Sequence, residues 1–447
     1  MEMSVQMQPK EYCEWSAIMG KVLVISYNAL MSSTPNGRTM QSLLQEIPAE
    51  DISLFCCYGM PDKGSCGSCY KVSNKEAVKS LFKAKSAGEI VDVGIDRDPG
   101  EALRKDQRNG SRKAWKYLAK EIVWALGRWK NKKLKSWLHS QNVDCVVYMY
   151  GDQASLQNLA VYASKELNVP LIVYSCEDYC LKNFNYLDMK KASVWFWLYQ
   201  KLSLAATKKL FGRAVGLITN SDGLGAEYAK KYGIRNISTV MMASQMECIR
   251  NGEVRNVEDV SVAYLGALGN ARVQALTEIG EALQKIDCRL ALDVYGRTTD
   301  ALKEQLERSP GVRYHGFVPY EKVQEVMRNS SLLIEAINND PYIIKDKRYG
   351  FSTKYADCFA CGTPLLVYAP VEIIETAFAL EHKCAFVCTS VDTLEQTLRS
   401  ALFDAEARSK QLDAAQKVTN VYFNKEKNIQ TVASMLDRAV SESKAVK

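Results

Sequence analysis

The sequence predicts an α/β protein of two doubly wound, Rossmann-like domains facing a cleft. Three features predict it. The chain has 447 residues, 47% of them hydrophobic, which is enough for two cores. Short apolar runs alternate with helical patterns along most of its length. The alternation stops at one polar, weakly patterned stretch, Ala243 to Asp259, and then restarts. Strands that read as unbroken apolar runs between helices belong to parallel sheets covered on both faces.

In order, Lys21-Val-Leu-Val-Ile-Ser26 is the first strand, Ser32-Ser-Thr-Pro-Asn-Gly37 turns the chain, and a helical pattern begins at Arg38. Strands follow at Ile52–Cys57, Asp144–Met149, Pro170–Tyr174 and Val215–Thr219, with helices at Ala154–Leu167 and Leu224–Tyr232. These make an expected first domain over residues 20–245. The second series has strands at Val260–Gly266, Arg289–Gly296, Val312–Phe317, Ser331–Ile334, Pro364–Tyr368 and Cys384–Val387. Its helices are Ala271–Lys285, Tyr320–Asn329 and Leu394–Asp404, giving a second domain over 258–419.

A net charge of +7 and a pI near 8.6 allow attraction to anionic membranes, nucleic acid or phosphorylated substrates without choosing among them. Met1 to Gly20 carries Glu2, Lys10, Glu11 and Glu14 and lacks a secretory apolar run. The richest apolar stretch, Val194-Trp-Phe-Trp-Leu-Tyr199, is far short of the ~20 residues a membrane span needs. The chain is therefore expected to be cytoplasmic. Fourteen cysteines are scattered through apparent strands and helices, which favours reduced thiols. Cys66-Gly-Ser-Cys69 has metal-type spacing without a second ligand pair, so a loop with two free thiols is expected there, and no metal.

The chemistry concentrates in Tyr349-Gly-Phe-Ser-Thr-Lys-Tyr-Ala-Asp-Cys-Phe-Ala-Cys-Gly-Thr-Pro364, a polar turn, a helix and the start of a buried strand. Ser352 and Thr353 are cap-type residues, so the first-turn amides and the helix dipole are expected to face an anion, with Lys354 adding a full charge. Asp357, one turn on, can accept hydrogen bonds from sugar hydroxyls. A nucleotide sugar offers all these groups: diphosphate, ribose and hexose.

This run resembles the donor-binding segment of the GT-B glycosyltransferases of family 4. Asp357 stands where that motif has its second Glu, and Ala360, Gly362 and Pro364 match its ending. Tyr349 stands where many members carry the first Glu, which brings the chain closer to the subgroup reading Ser-x-Lys before the helix. The resemblance implies a GT-B fold over roughly Lys21 to Leu402, with a terminal helix within 420–447 crossing back to the first domain. Leu265-Gly-Ala-Leu-Gly-Asn-Ala-Arg272 is a Gly-containing turn that can serve packing or let backbone approach a phosphate. It is similar to the family's donor loop, which implies diphosphate contacts for Gly266 and Arg272. Gln274 and Thr277 stand where a second basic residue is usual, leaving more of the charge to Lys354. Val312-Arg-Tyr-His-Gly-Phe-Val318 resembles the segment whose backbone brackets the base, which implies that role for Gly316, Phe317 and Val318. His315 flanks the base pocket or caps a strand end, and His139 and His382 receive no role.

In the first domain, Asn36-Gly37 resembles the flexible acceptor-side loop of the family, although an ordinary turn fits the same residues. Asp178, in Ser175-Cys-Glu-Asp-Tyr179 beyond a strand's C-terminal end, is the candidate acceptor-side carboxylate. Arg104 to Lys135 holds twelve Lys/Arg against Asp106 and Glu121, with Trp115, Leu118, Ile122, Ala125 and Trp129 at helical spacing. Such a stripe suits either an anionic lipid surface or docking on the first domain, and Lys190 to Lys209 repeats the mixture with Trp195, Trp197 and Tyr199. No nucleic-acid recognition motif accompanies the charge.

The expected activity is that of a retaining, metal-independent glycosyltransferase without a cofactor. Arg272 and Lys354 would stabilise the leaving diphosphate, and a membrane-associated, lipid-linked saccharide for a surface polysaccharide would be the acceptor. The expected place of work is the inner face of the membrane. Two alternatives stay open: a non-catalytic partner subunit of the same fold, and a sugar-nucleotide epimerase, for which three histidines are few.

Overall fold

The computed structural model describes residues 20–32, 34–82, 87–93, 113–188, 191–249, 254 and 256–445. Residues 20–249 carry an eight-stranded sheet of β1 (Val22–Ile25), β2 (Ile52–Cys56), β3 (Ser68–Lys71), β4 (Glu89–Val91), β5 (Cys145–Met149), β6 (Leu171–Ser175), β7 (Gly216–Thr219) and β8 (Ile237–Thr239). The spatial order is β4-β3-β2-β1-β5-β6-β7-β8, parallel except for β4 against β3. A second, six-stranded sheet contains β9 (Val262–Leu265), β10 (Leu292–Tyr295), β11 (Val312–Gly316), β12 (Leu332–Ala336), β13 (Leu365–Tyr368) and β14 (Phe386–Cys388) in the order β11-β10-β9-β12-β13-β14. Its described pairings are all parallel.

In each sheet the chain starts in the middle, winds outward to one edge and then returns to wind the other way. The reversal lies between β1 and β5 in the first and between β9 and β12 in the second. At such a point neighbouring connections diverge to opposite faces and open a crevice beyond the strand C-termini, where ligands gather.

The central strands of each sheet are buried on both faces, which is why β1, β5, β9 and β13 contain only Val, Leu, Ile, Ala, Met, Cys and Tyr. The helix Lys425–Ala445 lays Val432, Met435, Leu436 and Ala439 against the first sheet, and Asn428 donates to the carbonyl of Met241, just beyond β8. Three strands have no counterpart in the sequence reading. β3, β4 and β8 span only three or four residues each at or beside sheet edges, too few for periodicity to register. The Cys66–Cys69 stretch is a correction of the same kind. Cys69 lies inside β3, buried, with its sulfur 3.8 Å from that of Cys56 rather than in a loop. The described cysteines are free thiols, and no described group of three His, Cys, Asp or Glu side chains is placed to hold a metal.

Candidate functional site

Three glycines follow one another along the strand ends on one side of the reversal point of the second sheet. β9, β10 and β11 end on Gly266, Gly296 and Gly316 at φ +154°, +159° and +77°. The amide of Gly266 donates to the Tyr295 carbonyl (2.9 Å), and that of Gly296 to the Gly316 carbonyl (2.8 Å). A methyl group on Gly296 would sit 1.8 Å from the Gly266 carbonyl oxygen, and one on Gly266 would sit 2.7 Å from the Lys354 ammonium. Glycine is required at both because backbone and ammonium occupy the space of a side chain.

The cations there are organised by an acid that the sequence reading passed over. Glu335, buried on β12, pairs through Oε1 with the Lys354 ammonium and through Oε2 with Nη1 of Arg272 at 3.0 Å. Arg272 also donates to the Ala336 carbonyl (2.8 Å), and Lys354 to that of Leu265 (3.2 Å). Both cations stand over the Tyr264 ring, at 5.8 and 4.8 Å from its centre. Arg272 and Lys354, 82 positions apart in the sequence, are thus brought to one carboxylate. Burial pulls the Lys354 ammonium down, but Glu335 and Tyr264 together outweigh it and hold the group above its usual value.

The turn before Lys354 differs from the sequence expectation. Thr353 has helical backbone angles and no capping bond; Ser352 Oγ instead accepts from the Lys354 amide (3.3 Å). The Ser352 amide is not free for an anion, since it donates to Oε1 of Glu375 at 2.5 Å. Glu375 begins the helix Ile374–His382 and is buried. Asp357 has both carboxylate oxygens occupied: Ser244 of the interdomain linker donates to one (2.5 Å) and the Tyr320 hydroxyl to the other (3.1 Å). Burial raises Asp357, and those two donors together with Arg38 of the first domain oppose the rise.

Beyond β11, a side chain on Gly316 would meet open space, Phe317 is 60% exposed, and the guanidinium of Arg297 lies 3.9 Å over the Phe317 ring. Val318 follows, half-buried. His315 is held by Asp293 (2.6 Å) and stacks on Tyr295 at 4.6 Å.

The first-domain candidates are placed otherwise than expected. Asn36 and Gly37 lie in the first turn of the helix Pro35–Leu43, not in a flexible loop. The Thr34 hydroxyl caps the Gly37 amide (3.2 Å), and a methyl group on Gly37 would stand 2.2 Å from the Met31 carbonyl oxygen. Asp178 is buried in a salt bridge with Lys182 (3.1 Å), whose ammonium also reaches Asp346 of the second domain (2.6 Å). That carboxylate therefore links the domains. Its neighbour Glu177 lies outside the bridge, and burial lifts it to about 7 against the pull of Lys182. Tyr349 packs on the first-domain core, beside Glu227.

The expected basic stripe divides. Arg104, Lys105, Arg108 and Arg112, like Lys190, lie outside the described residues. Of the apolar positions, Leu118 and Trp129 are buried, whereas Trp115, Ile122 and Ala125 are exposed. The helices Ala114–Leu126 and Val194–Arg213 pack together through Ala114, Leu118, Phe196 and Tyr199. Their outer faces present Trp115, Ile122, Trp195, Trp197, Leu198 and Leu202. The longer helix contains no acid, and the one acid of the shorter, Glu121, is buried and accepts from the Ser155 amide (2.8 Å). Among the described residues, no helix is long and apolar enough to cross a membrane.

Comparison with known proteins agrees with this architecture. Residues 272–434 match a family model described as glycosyl transferase-like. Anabaena HepE, solved with UDP and glucose, superposes with a TM-score of 0.56 at 14% identity over 94% of this chain and 100% of its own. Sucrose-phosphate synthase from Thermosynechococcus elongatus gives 0.59 at 10% identity, covering 96% and 100%. The apo lipopolysaccharide outer core galactosyltransferase WaaB gives 0.53 at 14%, covering 93% and 99%. No curated protein sequence matches the chain significantly. At these identities the likeness is one of fold, and the fold is GT-B.

Proposed function

We propose that the protein is a glycosyltransferase that moves a sugar from a nucleoside diphosphate to a lipid-linked saccharide acceptor at the cytoplasmic face of a membrane, with retention of anomeric configuration. The observation that carries the reading is the Arg272–Glu335–Lys354 cluster at the reversal point of the second sheet. The family model over residues 272–434 supports it. So does HepE, a protein of the same fold solved with UDP-glucose. Breaking the bond between sugar and diphosphate leaves the electron pair on the diphosphate oxygen. Two cations fixed in advance by a buried carboxylate stabilise that charge without reorganising. This meets the leaving group's need without a metal or cofactor. In a same-face displacement the departing diphosphate also takes the proton of the acceptor hydroxyl. Gly316, Phe317 and Val318 would line the base, and Asp357 would exchange Ser244 or Tyr320 for ribose hydroxyls. The helix turn at Asn36 and Gly37 would serve the acceptor side, with Arg38 near enough to act on Asp357 of the second domain.

A second reading has one observation in its favour. Tyr349 takes the place of the family's first Glu and is turned into the first-domain core, so the chain could bind donor without transferring it. Calorimetry with UDP, GDP, ADP and dTDP, followed by transfer of labelled sugar to lipid extract, decides. Heat with one nucleotide and labelled lipid are expected; heat without transfer would establish the second reading, and silence with all four would end both.

The tryptophan-bearing face is the proposed membrane contact. It combines indoles suited to the interface with cations and no exposed acid on its two helices, a match for anionic headgroups. Co-sedimentation with phosphatidylglycerol vesicles is expected to be strong, and weak with phosphatidylcholine. Trp195→Ser with Trp197→Ser should abolish it while donor binding persists. Equal sedimentation of both chains would refute the assignment.

A further inference from the structure

Two carboxylates, not one, stand behind the cations. Glu335 bridges Arg272 and Lys354, and Glu375 holds the Ser352 amide at the entrance of the helix that carries Lys354. Both acids are buried. With two cations and two ionised acids the cluster is neutral, so adding the two or more negative charges of a diphosphate leaves it overcharged in a medium that screens poorly. Glu335 cannot relieve this, because both of its oxygens are committed to the cations that do the gripping. Glu375 holds a single backbone amide, which a neutral carboxyl can still accept from.

We propose that Glu375 is the charge-balancing residue of the diphosphate site, and that it takes up a proton from solvent when a diphosphate settles on Arg272 and Lys354. The inference rests on the donor-binding reading above. The charged and titratable groups facing Glu375 are Glu335 from β12, Arg272 from the turn after β9, and Lys354 and Tyr355 from the helix Lys354–Ala360. Burial is the larger influence lifting Glu375 to about 7, Glu335 adds to it, and Arg272, the Ser352 amide and Lys354 oppose it. A bound dianion pushes in the same direction as Glu335, so the carboxyl titrates higher in the complex. Binding then consumes protons wherever the unliganded group is ionised, and affinity falls as pH rises through that range.

The test is titration calorimetry of the nucleoside diphosphate that binds, in buffers of different ionisation enthalpy at about pH 8, where a carboxyl near neutrality is mostly ionised. The diphosphate's own phosphates are ionised there too, and any proton they take is common to wild type and Glu375→Gln, whose amide oxygen can still accept from Ser352. Wild type is expected to take up close to one proton more than the variant. Its Kd should weaken by up to about tenfold per pH unit on the alkaline side, a slope the variant lacks. The slope is read on wild type alone, so it decides even if the variant does not fold. Equal proton counts, or a flat wild-type profile, would overturn the proposal and leave donor binding intact. Failure of UDP, GDP, ADP and dTDP to bind at any pH would remove both.

Discussion

Lys354→Ala is expected to lower turnover by about 10²–10³-fold, the effect of removing one preorganised group from a developing negative charge. The loss should fall on kcat as well as kcat/KM, because the charge on the diphosphate grows as the sugar departs and the missing interaction is strongest then. A purely structural account predicts something different. Lys354 shares Glu335 with Arg272, so its removal leaves a buried carboxylate with one partner instead of two, at a stability cost on the order of 1–3 kcal/mol. Adding Glu335→Gln separates the two effects. The double variant no longer buries an underpaired charge, and its amide oxygen still accepts from Arg272, so its unfolding midpoint should recover toward wild type. Turnover should not recover. If it does, Lys354 is a structural counter-ion and the diphosphate assignment is wrong.

The pairing of Lys354 with Glu335 has no signature in the sequence. Continuous apolar runs such as Val22–Ile25 and Leu365–Tyr368 announce parallel strands, because a strand buried on both faces has no polar alternation to hide it. Arg272 and Lys354 were legible because each follows a local strand–turn or turn–helix pattern. Glu335 was not, since a lone acid at the end of an apolar strand carries no local signature, and only sheet order brings it between two distant cations. The same holds for Glu375, which meets Ser352 from 23 residues away. Local chemistry pointed to Asp178 and left out Glu177, yet Asp178 is taken up by Lys182, whose ammonium also pairs with Asp346 of the other domain. A one-residue preference between adjacent acids depends on which way each side chain leaves the strand end. Short edge strands such as β4 fail for a simpler reason, that three residues hold no measurable period. The exposed tryptophans sat in a pattern seen as one amphipathic stripe, which the structure splits: Leu118 and Trp129 turn inward with Trp124 and Glu121, while Trp115, Ile122 and Ala125 face out.

Asp346 makes Lys182 the site of the second large effect. Its side chain is 7% exposed and its ammonium joins Asp178 of the first domain to Asp346 of the second. Gln200 holds the Lys182 carbonyl (2.7 Å), and the neighbouring domain contact is the Asn220 amide on the Phe351 carbonyl (3.1 Å). Lys182→Met retains most of the apolar stem but leaves two inward carboxylates facing each other, which is expected to cost about 3–5 kcal/mol near neutral pH. The pH dependence follows from the ionisation states. Burial pulls Lys182 down, but Asp178 and Asp346 outweigh it and raise it above its ordinary value. A raised lysine contributes stability that is whole below the unfolded value of about 10.4 and disappears as pH rises through the folded one. Wild type should therefore lose this contribution only in strong alkali, and the variant should show no such alkaline limb. In the acid direction the variant's deficit should shrink, because Asp178, already raised chiefly by burial, can take a proton once its cation is gone. Urea midpoints across pH measure both limbs, and solution scattering measures whether the domains separate. Since the bridge lies between the domains rather than at the Arg272–Glu335–Lys354 cluster, nucleotide affinity per folded molecule should change less than catalysis, which would need both domains in register across the cleft. Unchanged midpoints and an unchanged radius of gyration in Lys182→Met would show that the bridge does not hold the domains together, leaving the Asn220–Phe351 hydrogen bond, Ile374 against Gly223 and Tyr349 against the first core as the remaining candidates.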